Sequence, residues 1–387
     1  MKYSLTPEFA ALVGALLEPT SRQDALTIAA ARAGVTPEAL EQAFERLREL
    51  GFLAEGRPQE QGYASDYCSV YGQKTMLKDF VRTDSFRRAI EETVKPGDHV
   101  VDVGSGSGIL SLFAARAGAR RVTGLEHTSF IDIARELARV NDVDKKITFL
   151  PGDARTTTLA EPADVIVSEW IGFFLMEEYM YEVFTSVRDR WLKPGGHVIP
   201  GAASLYLGPI EDPHLYIDCG PGYWDVPTYG FDFRACIEPE VREAAMMVVN
   251  LSPVSFLSQP AEILHIDCLR DGPEVFHFEV SRELEITRSG QVHGFGSYFD
   301  LQLSPSVRLS TAPWLQTTHW KQAYFPCRKF GVERGDIMSL QVSTTKGAAK
   351  PQIQIRGQLA RKGTTVHSWD LFYPGNSSLE LEYFRIF

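Results

Sequence analysis

In "SEWIGFFLMEEYMYE", residues 168–182, Glu169 directly follows an apolar run and Glu178 comes nine residues later, among aromatics, Leu175, Met176 and Met180. A carboxylate in such surroundings is costly unless a cation pairs with it. Glu169 reads as the end of a strand and Glu178 as lying beyond a short loop, so the two can converge on one point. That is where ligands meet an open α/β sheet. The spacing therefore asks for a cation, although Glu177 and Glu178 equally suit the first turn of a helix.

A second group is "VDVGSGSG", which sets Gly104, Gly106 and Gly108 between a strand and a helix. Glycines there permit a tight turn and let a ligand approach the backbone. Glu126 ends the next strand, about 20 residues on, where an acid takes ribose hydroxyls. The dinucleotide fingerprint wants its third glycine one position later, where this chain has Ile109. A GxGxG loop preceded by Asp102 is typical of S-adenosylmethionine (SAM) enzymes, and SAM is the expected cofactor in place of NAD.

These groups need a scaffold. "HVVDVG", "RVTGLE", "ITFLPGDA" and "ADVIVSE" read as apolar strands that alternate with the helices "ILSLFAARAGA" and "SFIDIARELARVN". Such alternation predicts a doubly wound parallel sheet. "YCSVYGQKTMLKDFVRTDSFRRAI" precedes it and reads as helix. From about residue 200 the texture changes to short alternating strands with Gly and Pro turns, among them "EILHIDCLR", "EVFHFEVSRELEIT", "GSYFDLQL", "SLQVSTT" and "LELEYFRIF". That pattern predicts an antiparallel β domain, barrel-like. Ahead of both, "GVTPEALEQAFERLRELGF" predicts a helix with Thr36 as N-cap, Pro37 at its first position and Leu40, Ala43, Phe44, Leu47 and Leu50 on one face. With "DALTIAAARAG" it makes a small winged-helix-like module. The expected domains are residues 1–57, 58–200 and 201–387, with a polar linker at "EGRPQEQGYASD".

Composition narrows the partners. The 387-residue chain carries a net charge of −11, and its first 56 residues hold 5 Lys and Arg against 8 Asp and Glu. A phosphate-backbone binder would be basic, so nucleic acid is not an expected partner. An acidic field suits a cationic one, though it is also common among soluble proteins. No apolar run is long enough to span a membrane, and the N-terminus lacks signal-peptide character. Five scattered cysteines without CxxC point to neither a disulfide framework nor a zinc site, and so to a reducing cytoplasm and no metal.

The quoted segments resemble the protein arginine methyltransferase family from about Tyr63 to the C-terminus. The glycine loop is similar to its motif I, "SEWIGFFLMEEYM" to its double-E loop, "TTHWKQ" at residues 317–322 to its THW loop, and "YGFDF" at residues 229–233 to part of its dimerisation arm. The resemblance implies a SAM-binding Rossmann-like domain with a covering helix, a β-barrel, and an arm at about residues 211–247 that makes a homodimer. It implies methyl transfer from SAM to a guanidino nitrogen of arginine, in a protein or peptide or as free L-arginine. The cation between Glu169 and Glu178 is then a guanidinium, protonated to a pKa of about 12.5–13.8 and planar enough for two carboxylates to fix.

Further roles follow from the same resemblance. Asp79 and His319 match a pair that bonds across the two domains and relays the departing proton. Tyr67, Met76, Met180 and Trp320 match arginine-pocket positions. Arg82 matches the partner of the SAM carboxylate, and Asp102, Gly104, Gly106, Gly108 and Glu126 match cofactor contacts. Three positions depart from the family. Ala64 replaces an aromatic near adenine, Gln73 replaces a SAM-contacting histidine, and Arg155 stands where an adenine-binding acid is usual. Asp153 and Ala154, in a Gly-Asp-Ala run found in other SAM enzymes, are expected to serve the adenine instead. The competing reading is a catalytically silent member of the fold that uses residues 1–57 to hold a partner.

Overall fold

The computed structural model describes residues 69–176, 180–347 and 351–374, together with 26–27, 29–30, 36 and 39–44. The chain divides into two units, Met1–Ser69 and Val70–Phe387. In the first, residues 39–44 are helical, and the Ala39 N–H points at Thr36 Oγ1 at 3.4 Å, the geometry of an N-cap. Leu40 and Ala43 are buried there. Residues 26–27 and 29–30 are helical as well, and Ala29 is buried. The other residues of that expected module, and with them Ala64, Tyr67 and the final strand "LELEYFRIF", lie outside the described residues.

The second unit begins with α1 (Val70–Lys78) and α2 (Phe80–Thr93). The sequence reads as one helix here, but the structure breaks it at Asp79. The Asp79 carboxylate accepts the Arg82 N–H at 3.0 Å and caps α2, so a side-chain bond replaces helix continuation. A parallel sheet follows, in the order β3-β2-β1-β4-β5, from β1 (His99–Val103), β2 (Arg121–Glu126), β3 (Ile147–Pro151), β4 (Ala163–Val167) and β5 (Leu192–Ile199). β1 is buried on both faces, as a continuous apolar run requires. The helices α3 (Ile109–Ala117), α4 (Ile131–Val140) and α5 (Met180–Trp191) connect the strands. Strand order reverses between β1 and β4, which makes their carboxyl ends the switch-point crevice.

Two antiparallel sheets follow. One contains β6 (Ala202–Ile210), β7 (Met247–Val249), β8 (Ala261–Asp267), β10 (Gly290–Gln302), β11 (Arg308–Ser310) and β12 (Gln322–Val332). The other contains β9 (Glu279–Glu285), β13 (Ile337–Thr345), β14 (Gln352–Arg361) and β15 (Thr364–Tyr373). Between β6 and β7 runs an excursion with the short helices α6 (Pro213–Cys219) and α7 (Ile237–Glu243), on which Tyr229 is 95% and Phe231 68% exposed.

One apolar core joins the parallel and antiparallel layers. Trp170, Tyr181 and Phe276 pack edge-on or tilted at that junction. Arg188 of α5 donates to the carbonyls of Cys268 and Asp271, fixing the helix to the end of β8. Glu92 of α2 accepts from Ser304 and Ser306 in the turn between β10 and β11. These links hold the crevice beside the antiparallel layer.

Candidate active site

The glycine loop leaves the carboxyl end of β1 with Gly104 at φ +73° and Gly106 at φ +50°, both in the left-handed region. A side chain at either would also collide, with Met180 Cε at 2.9 Å for Gly104 and with the Gln73 amide at 2.8 Å for Gly106. Gln73 lies on this loop and accepts the Ser107 N–H at 3.0 Å. Gly108 opens α3, also with positive φ. Glu126, at the end of β2, is 5% exposed and accepts the N–H groups of Gly106 at 2.7 Å and Thr128 at 2.9 Å.

Asp102 is fully buried beneath the loop. One carboxylate oxygen accepts the Ser111 hydroxyl at 2.7 Å, and the other has no partner among the described residues. Burial pushes its carboxyl up to about 7, against the opposing hydrogen bond from Ser111. An unpaired buried acceptor beside a glycine loop is what a cationic ligand would repay.

Across the switch point, Glu169 stands two residues beyond β4. Its Oε2 accepts from Arg82 Nε at 3.1 Å and Nη2 at 2.7 Å, and its Oε1 accepts the Ile171 N–H at 3.0 Å. Both partners of the ion pair are shielded, with side-chain exposures of 8% for Arg82 and 12% for Glu169. The Met76 sulfur lies 3.9 Å from the same guanidinium. The crevice thus contains a carboxylate that already holds a guanidinium.

Behind Glu169, the loop is braced from the antiparallel layer. Trp320 is 1% exposed, and its indole N–H donates to the Ile171 carbonyl at 2.9 Å. Ile171 therefore links Trp320 to Glu169 through its own two backbone groups. Leu175 at φ +62° turns the loop back, and Phe174 packs edge-on against Phe325. Trp320 supports the loop from inside the core; it is not an open wall.

Asp79 and His319 come together from 240 residues apart, with His319 Nδ1 2.7 Å and the His319 backbone N 2.8 Å from Asp79 Oδ2. A carboxylate only accepts, so Nδ1 carries hydrogen and Nε2 is the ring atom left to take a proton. Burial alone would raise the Asp79 carboxyl, but hydrogen bonds from His319 and Arg82 outweigh it and hold it below its ordinary value.

The remaining expected positions are less concentrated. Met180 begins α5 against Gly104. Ala154 is buried, while Asp153 is half-exposed and bound to Arg155, with Nη2 2.7 Å from Oδ2. The unexpected Arg155 is therefore the partner of the acid expected to serve adenine. Glu178 lies outside the described residues, which resume at Met180. Sequence reasoning missed Ser111 and Ile171. The first is visible only as a hydroxyl nine residues after Asp102, and the second acts through its backbone and leaves no sequence signal.

Residues 201–355 match the model of the arginine methyltransferase oligomerization subdomain, and residues 83–199 match that of ribosomal protein L11 methyltransferase, PrmA. The chain is 36% identical over 286 residues to protein arginine N-methyltransferase 1 of Dictyostelium discoideum, covering 72% of this chain and 82% of that protein. The chain belongs to the protein arginine N-methyltransferase family. Another member, PRMT10 of Arabidopsis thaliana, is 33% identical over 322 residues, 73% of this chain and 82% of its own. Among solved protein arginine methyltransferases, a crystal structure of the Arabidopsis thaliana enzyme 10 superposes with a TM-score of 0.71 at 30% identity, covering 80% of this chain and 99% of that one. The Trypanosoma brucei PRMT1 enzyme–prozyme heterotetramer with AdoHcy gives 0.73 at 26% identity, over 80% and 99% of the two chains. The family fold is the one described above, a parallel sheet followed by antiparallel sheets.

Proposed function

We propose that this chain transfers a methyl group from S-adenosylmethionine to a guanidino nitrogen of an arginine in a protein or peptide. The observation that carries this reading is the Arg82–Glu169 pair: a shielded carboxylate at the switch point whose surroundings are built to hold a guanidinium. Glycines, buried acids and a free acceptor in the same crevice suit an adenosyl amino-acid cofactor. Glu126 would take the ribose hydroxyls, the free oxygen of Asp102 the cofactor's ammonium, and Arg82 its carboxylate. Gln73 and the glycine loop would cover it, with Asp153 and Ala154 toward the adenine.

Bound, the cofactor supplies a methyl group on a sulfonium sulfur. Glu169 and Glu178 hold the target guanidinium in one plane and draw its charge away from the attacking nitrogen. The cofactor would give up its methyl group to that nitrogen, its sulfur keeping the bonding pair, with S-adenosylhomocysteine as the product. The nitrogen then sheds a proton to His319 Nε2, with Asp79 orienting the ring. Met76 and Met180 would border the arginine. Catalysis rests on positioning and fixed charge.

The same reading includes a homodimer through residues 211–247, supported by the exposed Tyr229 and Phe231. It also includes a reducing cytoplasmic setting, supported by the scattered cysteines. Among the described residues, no helix is long and apolar enough to cross a membrane. The test is mass spectrometry after incubation with the cofactor and either an arginine- and glycine-rich peptide or free L-arginine, for wild type, Glu169→Gln and Glu178→Gln. Methylated peptide, lost in both variants while cofactor binding persists, supports the reading. Transfer surviving in Glu178→Gln sinks the clamp. Methylation of free arginine alone reassigns the acceptor, and no transfer by cofactor-bound wild type makes the protein a silent binder.

A further inference from the structure

A second cavity, of about 420 Å³, lies on the outer face of the sheet containing β6 and β10. Its origin is legible in "YFDLQ". Strand alternation sends Phe299 and Leu301 into the core, each 1% exposed, and sets Tyr298 and Asp300 on the opposite face. The register pairs Tyr298 with Tyr206, and Asp300 with Ser204 on one side and Ser310 on the other. The two tyrosine rings stack at 4.8 Å and 11°. The segment after β11 then folds over this face and brings Trp314 edge-on to Tyr298 at 5.2 Å. Trp314 remains 48% and Leu315 53% exposed, so the cavity has an aromatic lip open to solvent.

Asp300 sits at the base. One of its carboxylate oxygens is buried without a hydrogen-bond partner among the described residues. Ser310 is its hydrogen-bonding neighbour, yet burial still holds its carboxyl above the ordinary value. Arg308 at the rim exerts its charge at a distance but makes no ion pair with Asp300 among the described residues. Glu262 adds a second carboxylate at the edge, 3.4 Å from the Tyr206 hydroxyl. Aromatic walls around an acid with no ion-pair partner among the described residues select a cation with a broad, weakly hydrated body, and a guanidinium fits that description better than an ammonium. The volume lies within the range of ligand pockets.

The position is as informative as the chemistry. Trp314 and His319 belong to one continuous segment, and five residues of chain reach at most about 18 Å. An extended peptide spans that upper bound in about five residues, so a second arginine up to about five residues away is within reach. We propose that this cavity is a second guanidinium site, which takes an arginine side chain of the polypeptide substrate about five residues from the arginine being methylated. The proposal rests on the peptide-methylating reading above. It makes the protein selective for substrates with spaced arginines, in keeping with its net charge of −11.

The test uses the full chain and two fluorescent peptides. Each carries one target arginine, and the second position, five residues away on either side, is arginine or its neutral isostere citrulline. A half-exposed ion pair and a cation–π contact together are worth on the order of tenfold in affinity. Wild type should show a KM and an anisotropy Kd about tenfold lower for the two-arginine peptide, at equal kcat. Asp300→Asn should erase that difference and leave the citrulline peptide untouched, and Trp314→Ala should narrow it. Equal affinity of wild type for the two peptides overturns the site, as does an Asp300→Asn loss that falls on both peptides alike. If neither peptide is methylated, the functional reading fails, and the anisotropy comparison still decides the second site.

Discussion

Replacing Trp320 by Phe tests whether the antiparallel layer aims the Glu169 carboxylate. The substitution keeps an aromatic ring in a site that is 1% exposed and removes the donor to the Ile171 carbonyl at 2.9 Å. A buried acceptor left unpaired costs about 1–3 kcal/mol, and the missing ring atoms add about 1–2 kcal/mol for the space they leave. A loss of about 2–5 kcal/mol lowers the melting temperature of a unit this size by about 3–7 °C. The catalytic consequence is separate. Ile171 also donates to Glu169 at 3.0 Å, so a shifted Ile171 re-aims that carboxylate. A displacement of about 1 Å costs on the order of 100-fold in rate. The assay is kcat at saturating cofactor and peptide, alongside calorimetric cofactor affinity and a melting curve. The expected pattern is a large fall in kcat with cofactor affinity within about twofold of wild type. A lowered melting temperature with unchanged kcat would refute the link from Trp320 through Ile171 to Glu169. An unchanged melting temperature would refute the energetic argument as well.

Two further predictions concern buried acids with opposite pH signatures. The Asp79 carboxyl is held below its ordinary 3.8, so its contribution to stability is present above that value and lost as pH falls through the lower folded-state value. Asp79→Asn should cost on the order of 1–3 kcal/mol at neutral pH and converge on wild type in melting curves at strongly acid pH; a gap independent of pH would contradict the pairing with His319. Asp102 runs the other way. Between 3.8 and about 7 the folded protein keeps a proton that the unfolded chain has released, so stability falls as pH rises through that window. A cationic cofactor favours the ionised carboxylate, so calorimetric SAM affinity should rise from about pH 6 to about pH 8 in wild type and stay flat in Asp102→Asn. A flat wild-type profile would separate Asp102 from cofactor binding.

Local signals carried the fold a long way. The alternation of apolar strands with helices announced the parallel sheet, and period-2 runs announced the antiparallel layer, because each pattern is written within one element. The glycine loop was legible for the same reason. Pairings that folding creates were not: Arg82 and Glu169 match family positions that serve different ligands, and 87 residues separate them. The break before α2 was invisible because it depends on one side chain preferring a backbone N–H to helix continuation. Asp79 with His319 came from resemblance to a family, and Met76 beside Arg82 came from neither resemblance nor pattern; nothing in their own spacing announces a contact. Ile171 shows the limit most plainly, since both of its contributions come from the backbone and any residue there would read the same.

The Arg82–Glu169 pair also ties α2 to the segment after β4, 87 residues further along the chain. Both charges are shielded, so removing either partner would leave the other buried and unpaired, at a cost well above that of an exposed pair. The helix and the segment are therefore registered to each other by charge as well as by packing, and a change that loosens one is felt by the other.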